Sequence, residues 1–254
     1  MRGIYLAVAA VRLAAAGVSA EVQTGEMECK EGETVLQGLM AWDDASKARR
    51  PGVLVVHEWW GHNEHARHQA KRLAEAGYVG FALDMYGKGK VTTPPKDAQG
   101  FMTEVKKDPM VIPARFHAAL ELIKQDPHVS AENIAAIGYC FGGAVILDEA
   151  RAGADLDAVV SFHGALATKS PAEPGKVRGR VLVLTGAADP FVPKEQVEAF
   201  TQEVKAAGPR VRVVTDPSVH QGFTKPAAGK AERDAPAYHA EDAQHTGAGV
   251  PEGE

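Results

Sequence analysis

Two hydrophobic patterns alternate along most of this chain. One is the short, largely apolar run bounded by Gly, Pro or charge: Val53–Val56, Val79–Leu83, Ile134–Ile137, Ala158–Phe162, Val181–Leu184 and, with Arg212 inside it, Val211–Val214. Such runs read as strands, and the uninterrupted Val53–Val56 as one buried on both faces of its sheet. The other is helical periodicity. Phe116, Ala119, Leu120 and Ile123 fall on one stripe of a helix expected over Ile112–Gln125. Further helices are expected over Glu64–Ala76, with Ala70 and Leu73 facing inward and Gly77 as cap, over Gly142–Ala152, and over Lys194–Ala206. Before these, Glu26–Cys29 and Val35–Trp42 flank Glu31-Gly32-Glu33 as an antiparallel hairpin.

Strand–helix alternation requires parallel strands, because each crossover needs a helix-length connection. The expected fold is therefore α/β: a mostly parallel sheet with helices on both faces and an N-terminal antiparallel hairpin. No repeat or internal linker divides it, so residues 21–228 read as one domain. Residues 229–254 read as a poorly ordered polar tail. After Phe223 the large apolar side chains are only Tyr238 and Val250, too few to offset the entropy of ordering. A short helix over Ala237–Gln244 is the one element such a tail suggests.

Composition narrows the function. The chain of 254 residues has 45% apolar and 24% charged residues, the balance of a globular protein with a sizeable core. A net charge of −5, with no clustered basic stripe, argues against nucleic acid as a partner. Arg2, the apolar stretch Ile4–Gly17 and the small-x-small end Val18-Ser19-Ala20 read as a signal peptide over residues 1–20. The run is short for a membrane span. Periplasmic or secreted location is the expectation, with no membrane attachment of the mature protein. A retained amphipathic helix, in a cytoplasmic protein, is the alternative that Arg12 favours. Cys29 and Cys140 are the two cysteines, and their separation suggests no disulfide.

Residues that follow strand ends carry the candidate chemistry, since open α/β sheets bind ligands beyond the carboxyl ends of their strands. These are His57, Glu58, Trp59 and Trp60 after the first run, then Asp84, Met85 and Tyr86, then Cys140, His163, Asp189 and His220. Cys140, Asp189 and His220 occur in the chain order nucleophile, acid, base of a hydrolase elbow, with cysteine as the nucleophile. In Gly138-Tyr139-Cys140-Phe141-Gly142-Gly143 the glycines permit a tight strand-to-helix turn. The helix start offers unpaired N–H groups to a thiolate and to an oxyanion. The bland alternative is an inert cysteine in a packing turn.

His220 would act as general base, and Asp189 would orient it; an Asp before Pro190 is otherwise a turn former. Glu58 would hydrogen-bond the resting thiol, its alternative being an exposed loop glutamate. Backbone N–H groups of Trp59 and Phe141 would hold the oxyanion, and Trp60, Tyr86, His163 and Phe223 would line a substrate pocket. His62, His65 and His68 have helical spacing without a carboxylate or thiolate partner. A solvated helix face is the expectation there, and no metal is assigned.

The stretches "VLVVHEWWGHNEHARHQAKRLAEAGYVGFALDMYGKGK", "IAAIGYCFGGAV", "VVSFHGAL", "VLVLTGAADPFVP" and "SVHQGFTKP" resemble, in order, the dienelactone hydrolase family across residues 25–228. The resemblance implies an α/β-hydrolase fold and a triad of Cys140, Asp189 and His220. It also implies Glu58 beside the resting thiol and Trp59 and Phe141 at the oxyanion. The reaction implied is hydrolysis of a lactone or ester through a thioester, with no cofactor. Thr224 stands where the well-studied lactonases carry a substrate-binding arginine, which argues against their chlorinated lactone as substrate. The family's final apolar helix is missing from the sequence pattern, so lowered stability, or a second copy covering the bare sheet face in a homo-oligomer, is expected. A binding or scaffold protein that keeps the fold without catalysis is the competing expectation.

Overall fold

The computed structural model describes residues 21–45, 47–187, 189–207, 210–216 and 224. They build one eight-stranded sheet in the order β1-β2-β4-β3-β5-β6-β7-β8. Strands β1 (Val22–Glu31) and β2 (Thr34–Asp43) form the antiparallel hairpin, and β2 pairs antiparallel with β4 (Val79–Leu83). The remainder is parallel: β4 with β3 (Arg50–Val56), then β5 (Val129–Tyr139), β6 (Ala158–Phe162), β7 (Arg180–Gly186) and β8 (Val211–Asp216). Each apolar run of the sequence is a strand of this sheet. The order doubles back at β3, and the residues beyond β3 and β5 therefore gather at a topological switch point.

Helix α1 (Glu64–Glu75) packs on β2, β3 and β4 through a narrow stripe of Ala66, Ala70 and Ala74. Asn63 caps it, its side chain accepting the Ala66 N–H at 3.3 Å. The opposite face carries the larger cluster, in which α3 (Val111–Lys124), α4 (Phe141–Ala152) and α5 (Lys194–Ala207) bury Phe116, Leu120, Ile146, Leu147 and Phe200. Buried Arg151 ties α4 to α5 through Glu203 at 2.8 Å. Burying a Leu or Phe contributes about 1.5–3 kcal/mol, so these stripes, not helix propensity, hold the layers together.

Helix α2 (Pro95–Lys106) lies in a stretch to which the periodicity above assigns no element. Its signal is nevertheless present: Ala98, Phe101, Met102 and Val105 recur at helical spacing, behind a proline at the first helical position. Strand β5 is also longer than its apolar run. Its register against β3 shifts between Pro51 and Gly52, where the partner moves from Ser130 to Ile134. A polar stretch is thereby absorbed ahead of the apolar Ile134–Ile137. The leader, the tail and its expected helix, and with them the question of a terminal helix, lie outside the described residues.

Candidate active site

The parallel strands end along one edge of the sheet, and the candidate residues stand one step beyond them. Tyr139 of β5 pairs with Phe162 of β6, so Cys140 and His163 are side by side. The Cys140 N–H donates to the Phe162 carbonyl at 3.0 Å, the last rung before the chain turns. Cys140 has φ 52 and ψ −110 and is the N-cap of α4. That backbone is costly for a side chain bearing a Cβ, about 1–3 kcal/mol, and persists only where surroundings impose it. Here they do. A Cβ on Gly142 would lie 2.2 Å from the Val56 carbonyl oxygen, and one on Gly138 would lie 2.3 Å from the Gly142 carbonyl oxygen. Backbones thus touch where α4 starts, and the turn is forced outward with its thiol half-buried at the tip. The first-turn N–H groups of α4 have no helical partners and point toward that tip.

Asp189 is 3% exposed. Its Oδ1 accepts the Phe191 N–H at 2.9 Å, and its backbone closes the turn through the Gly186 carbonyl at 3.2 Å and the Val192 N–H at 3.2 Å. The turn-forming reading is thus realised in this side chain. His220 and Phe223 lie outside the described residues. Thr224, four positions after His220, is buried, and its Oγ1 lies 3.3 Å from Nε2 of buried His163.

Glu58 is 4% exposed, which overturns the exposed-loop alternative. Its charge contributes to raising the phenol of Tyr139, which burial raises more. The Tyr139 ring stacks on Phe162 at 4.7 Å, directly beneath the elbow. Tyr86 is fully buried, and its phenol is pushed up by burial and by the neighbouring Cys140. Its Oη has no hydrogen-bond partner among the described residues. An unpartnered hydroxyl inside a protein costs about 1–3 kcal/mol, and this phenol lies close enough to Cys140 to feel its charge. Asp84, by contrast, is spent on structure. It accepts the N–H groups of Tyr86 at 2.9 Å, Gly87 at 3.0 Å and Gln37 at 3.3 Å.

Trp59 and Trp60 meet edge-on at 4.8 Å. Trp60 lines an open groove of about 590 Å³ with Asn63 and the segment Val91–Pro94. The expected solvated histidine face is corrected. His62 precedes the helix cap and is partly buried, and burial, with His57 and Arg67 nearby, lowers its imidazole to about 4. His65 packs edge-on against Tyr139 at 5.0 Å, and only His68 is exposed. The α1 face turns inward here because its small residues let the helix approach the sheet. Neither Cys29 nor Cys140 is in a disulfide, and burial raises the Cys29 thiol.

One contributor to the site received no role from the sequence. His57, the residue after β3, is 1% exposed and hydrogen-bonded at both ring nitrogens. Its signal was its place between a buried strand and Glu58.

The profile of the dienelactone hydrolase family matches residues 36–246. Protein usf of Aquifex pyrophilus is 33% identical over 180 residues, covering 68% of this chain and 75% of that one. An Aquifex aeolicus protein whose name includes carboxymethylenebutenolidase is 28% identical over 178 residues, 68% of this chain and 76% of its own. Among solved structures, m3DLH superposes with a TM-score of 0.82 at 35% identity, over 89% of this chain and 94% of that one. A dienelactone hydrolase-like promiscuous phosphotriesterase from metagenomic libraries gives a TM-score of 0.80 at 32% identity, over 89% and 94%. With a cysteine elbow at the switch point of this sheet and a family match across most of its length, the chain belongs to the dienelactone hydrolase family of α/β-hydrolases.

Proposed function

We propose that the protein hydrolyses a lactone or carboxylic ester through a thioester on Cys140, with His220 as base and Asp189 as its orienting acid. The observation that carries this reading is the forced backbone of Cys140, φ 52 and ψ −110, at the first turn of α4. Storing strain to expose one sulfur at a helix N-terminus has a chemical purpose and no packing one.

His220 takes the thiol proton as sulfur attacks the carbonyl carbon, and the π pair moves onto oxygen. The Trp59 and Phe141 N–H groups receive that oxyanion. As the C–O bond breaks, the imidazolium protonates the departing alkoxide, which in a lactone stays tethered. Water then attacks the thioester, passing its proton to His220, and the acid leaves with the thiol restored. Glu58, buried beside Tyr139, governs the resting protonation of the thiol. Tyr86, with its unpartnered hydroxyl, His163, Trp60 and Phe223 are assigned to the substrate pocket. No cofactor enters any step.

The test is a p-nitrophenyl ester. A burst of one nitrophenolate per Cys140, abolished by iodoacetamide and by Cys140→Ala, is the expected result. Full activity of Cys140→Ala ends the proposal, and folded protein without a burst favours a binding role. A neutral phosphotriester belongs in the same screen, because the 32% identical structural relative is named for that activity and its transition state also develops charge on oxygen. The leader pattern of residues 1–20 supports export, for which a mature N-terminus at Glu21 is the test. A homo-oligomer is tested by light scattering.

A further inference from the structure

The ring of His57 sits between two backbone groups that leave it a single arrangement. Its Nε2 faces the Met85 N–H at 3.1 Å, and its Nδ1 faces the Glu58 carbonyl oxygen at 2.5 Å. An amide N–H can only donate and a carbonyl can only accept. The ring must therefore be neutral, with its proton on Nδ1 and its lone pair on Nε2. Burial, which lowers the His57 imidazole, favours the same neutral state, against the opposing pull of the Glu58 carbonyl and Asp84.

The carbonyl that His57 holds belongs to the same peptide unit as the Trp59 N–H. That unit is planar and trans, so fixing the direction of its C=O fixes the N–H in the opposite direction. The Gly61 N–H also donates to the Glu58 carbonyl, at 3.3 Å, which leaves the peptide little freedom to rotate. Gly61 has φ 92, and a Cβ on it would lie 2.3 Å from the Lys90 carbonyl oxygen, so the turn that brings this second donor round needs glycine. Two donors on one carbonyl also polarise the amide and make its N–H the stronger donor. The other end of the bracket is anchored as firmly. Met85 receives a hydrogen bond on its carbonyl from buried Arg115 at 2.8 Å. The His57 ring itself lies 4.9 Å from the Tyr86 ring and 6.0 Å from that of Phe141, the residue whose N–H follows the thiol.

We propose that His57 is a positioning residue that sets the plane and polarity of the Glu58–Trp59 peptide, making the Trp59 N–H a fixed oxyanion donor for Cys140. This inference rests on the thioester mechanism above and adds to it a residue that touches neither substrate nor sulfur. Its neutrality matters: an imidazolium would have to turn its Nε2 proton on the Met85 N–H, and the bracket would open.

The test separates oxyanion binding from thiol reactivity. An aryl trifluoromethyl ketone adds the Cys140 thiolate to form an anionic hemithioketal, whose oxygen needs the hole. Iodoacetamide alkylates the same sulfur by displacing iodide, with no oxyanion. In His57→Leu the ketone should bind about 30- to 100-fold more weakly, and kcat should fall by a similar factor with KM changed less than about threefold. Removing a donor outright typically costs about 10²–10³. Alkylation should stay within about twofold of wild type. His57→Gln, which can both donate and accept, should recover most of the loss.

Unchanged ketone affinity in His57→Leu, an equal fall in alkylation, or a Gln variant no better than Leu overturns the inference. Should the Leu variant not fold, the wild-type ring decides: ¹⁵N-histidine spectra must show His57 protonated on Nδ1 alone from pH 5.5 to 8, and a proton on Nε2 overturns it. A wild type that alkylates at Cys140 yet hydrolyses no ester and binds no ketone sinks the mechanism and this inference together. A wild type that does both, matched by His57→Leu, sinks the inference alone.

Discussion

Cys140 and His163 follow neighbouring parallel strands and share a positive φ that no other described non-glycine residue adopts, 52 and 42. Each donates its N–H to the next strand outward, Cys140 to Phe162 at 3.0 Å and His163 to Leu184 at 2.8 Å, and each then leaves the sheet sharply. Histidine and asparagine tolerate the left-handed region better than β-branched residues do. His163→Asn should keep the fold, whereas His163→Val should cost about 1–3 kcal/mol more in urea unfolding.

Thr224 is joined to this turn through His163 Nε2 at 3.3 Å, and it follows His220 by four residues. Losing one hydrogen bond of about 0.5–1.5 kcal/mol corresponds to roughly a two- to twelvefold loss of rate when it positions a base. Thr224→Val should lower kcat by that factor, with Thr224→Ser restoring it. Iodoacetamide kinetics at pH 8 should not change.

Glycines at the elbow differ sharply from glycines elsewhere. Gly142→Ala would place a methyl 2.2 Å from the Val56 carbonyl oxygen, a contact that no side-chain motion relieves. We expect little soluble protein, or a loss above about 3 kcal/mol, beyond the usual range for point substitutions. Gly100, inside α2 with nothing within 4 Å of a Cβ, is the opposite case. Gly100→Ala should stabilise by about 0.5–1 kcal/mol, read as a raised denaturation midpoint.

Asp189→Asn isolates charge from turn geometry. The asparagine oxygen can still accept the Phe191 N–H, now held at 2.9 Å by Oδ1, so the turn should survive. In the role proposed above, this change misplaces the histidine proton and costs about 10⁴ in kcat. Circular dichroism and unfolding should stay near wild type while ester turnover falls by that factor.

Glu149 links stability to pH. It is buried on α4, and burial, with Asp148 adding repulsion, raises its carboxyl to about 7 from 4.5. The folded state therefore holds this proton more tightly than the unfolded chain. Its contribution is complete below about pH 4.5 and is lost as pH rises through about 7, at most about 3 kcal/mol. Glu149→Gln removes this dependence while keeping a polar group within reach of His117 Nε2, which lies 3.1 Å from the carboxyl. The variant should melt several degrees above wild type at pH 8 and close to it at pH 5.

The sheet was legible from sequence because interior strands such as β3 and β4 are buried along nearly their whole length and must be apolar there; β8, at the edge and only partly buried, was legible from the strand–helix alternation. The elbow was legible because only glycine lets backbones touch at positions 138 and 142. Helix α2 was harder to see, since Gly100 and its polar neighbours dilute a four-residue stripe. The inward turn of His62 and His65 was opaque. Spacing says which residues share a face, but not how closely that face lies against the sheet.

By itself, then, the sequence determined the fold class and the candidate nucleophile, because hydrophobic periodicity and tight-turn chemistry are local properties. Only the tertiary structure decided what His57 and Glu58 are. Of the two backbone groups that fix the imidazole tautomer, the Glu58 carbonyl is adjacent in the chain, but the Met85 N–H comes from 28 residues away. No local pattern encodes a hydrogen bond between separate strand ends; the sheet must close before its donors and acceptors can choose one another.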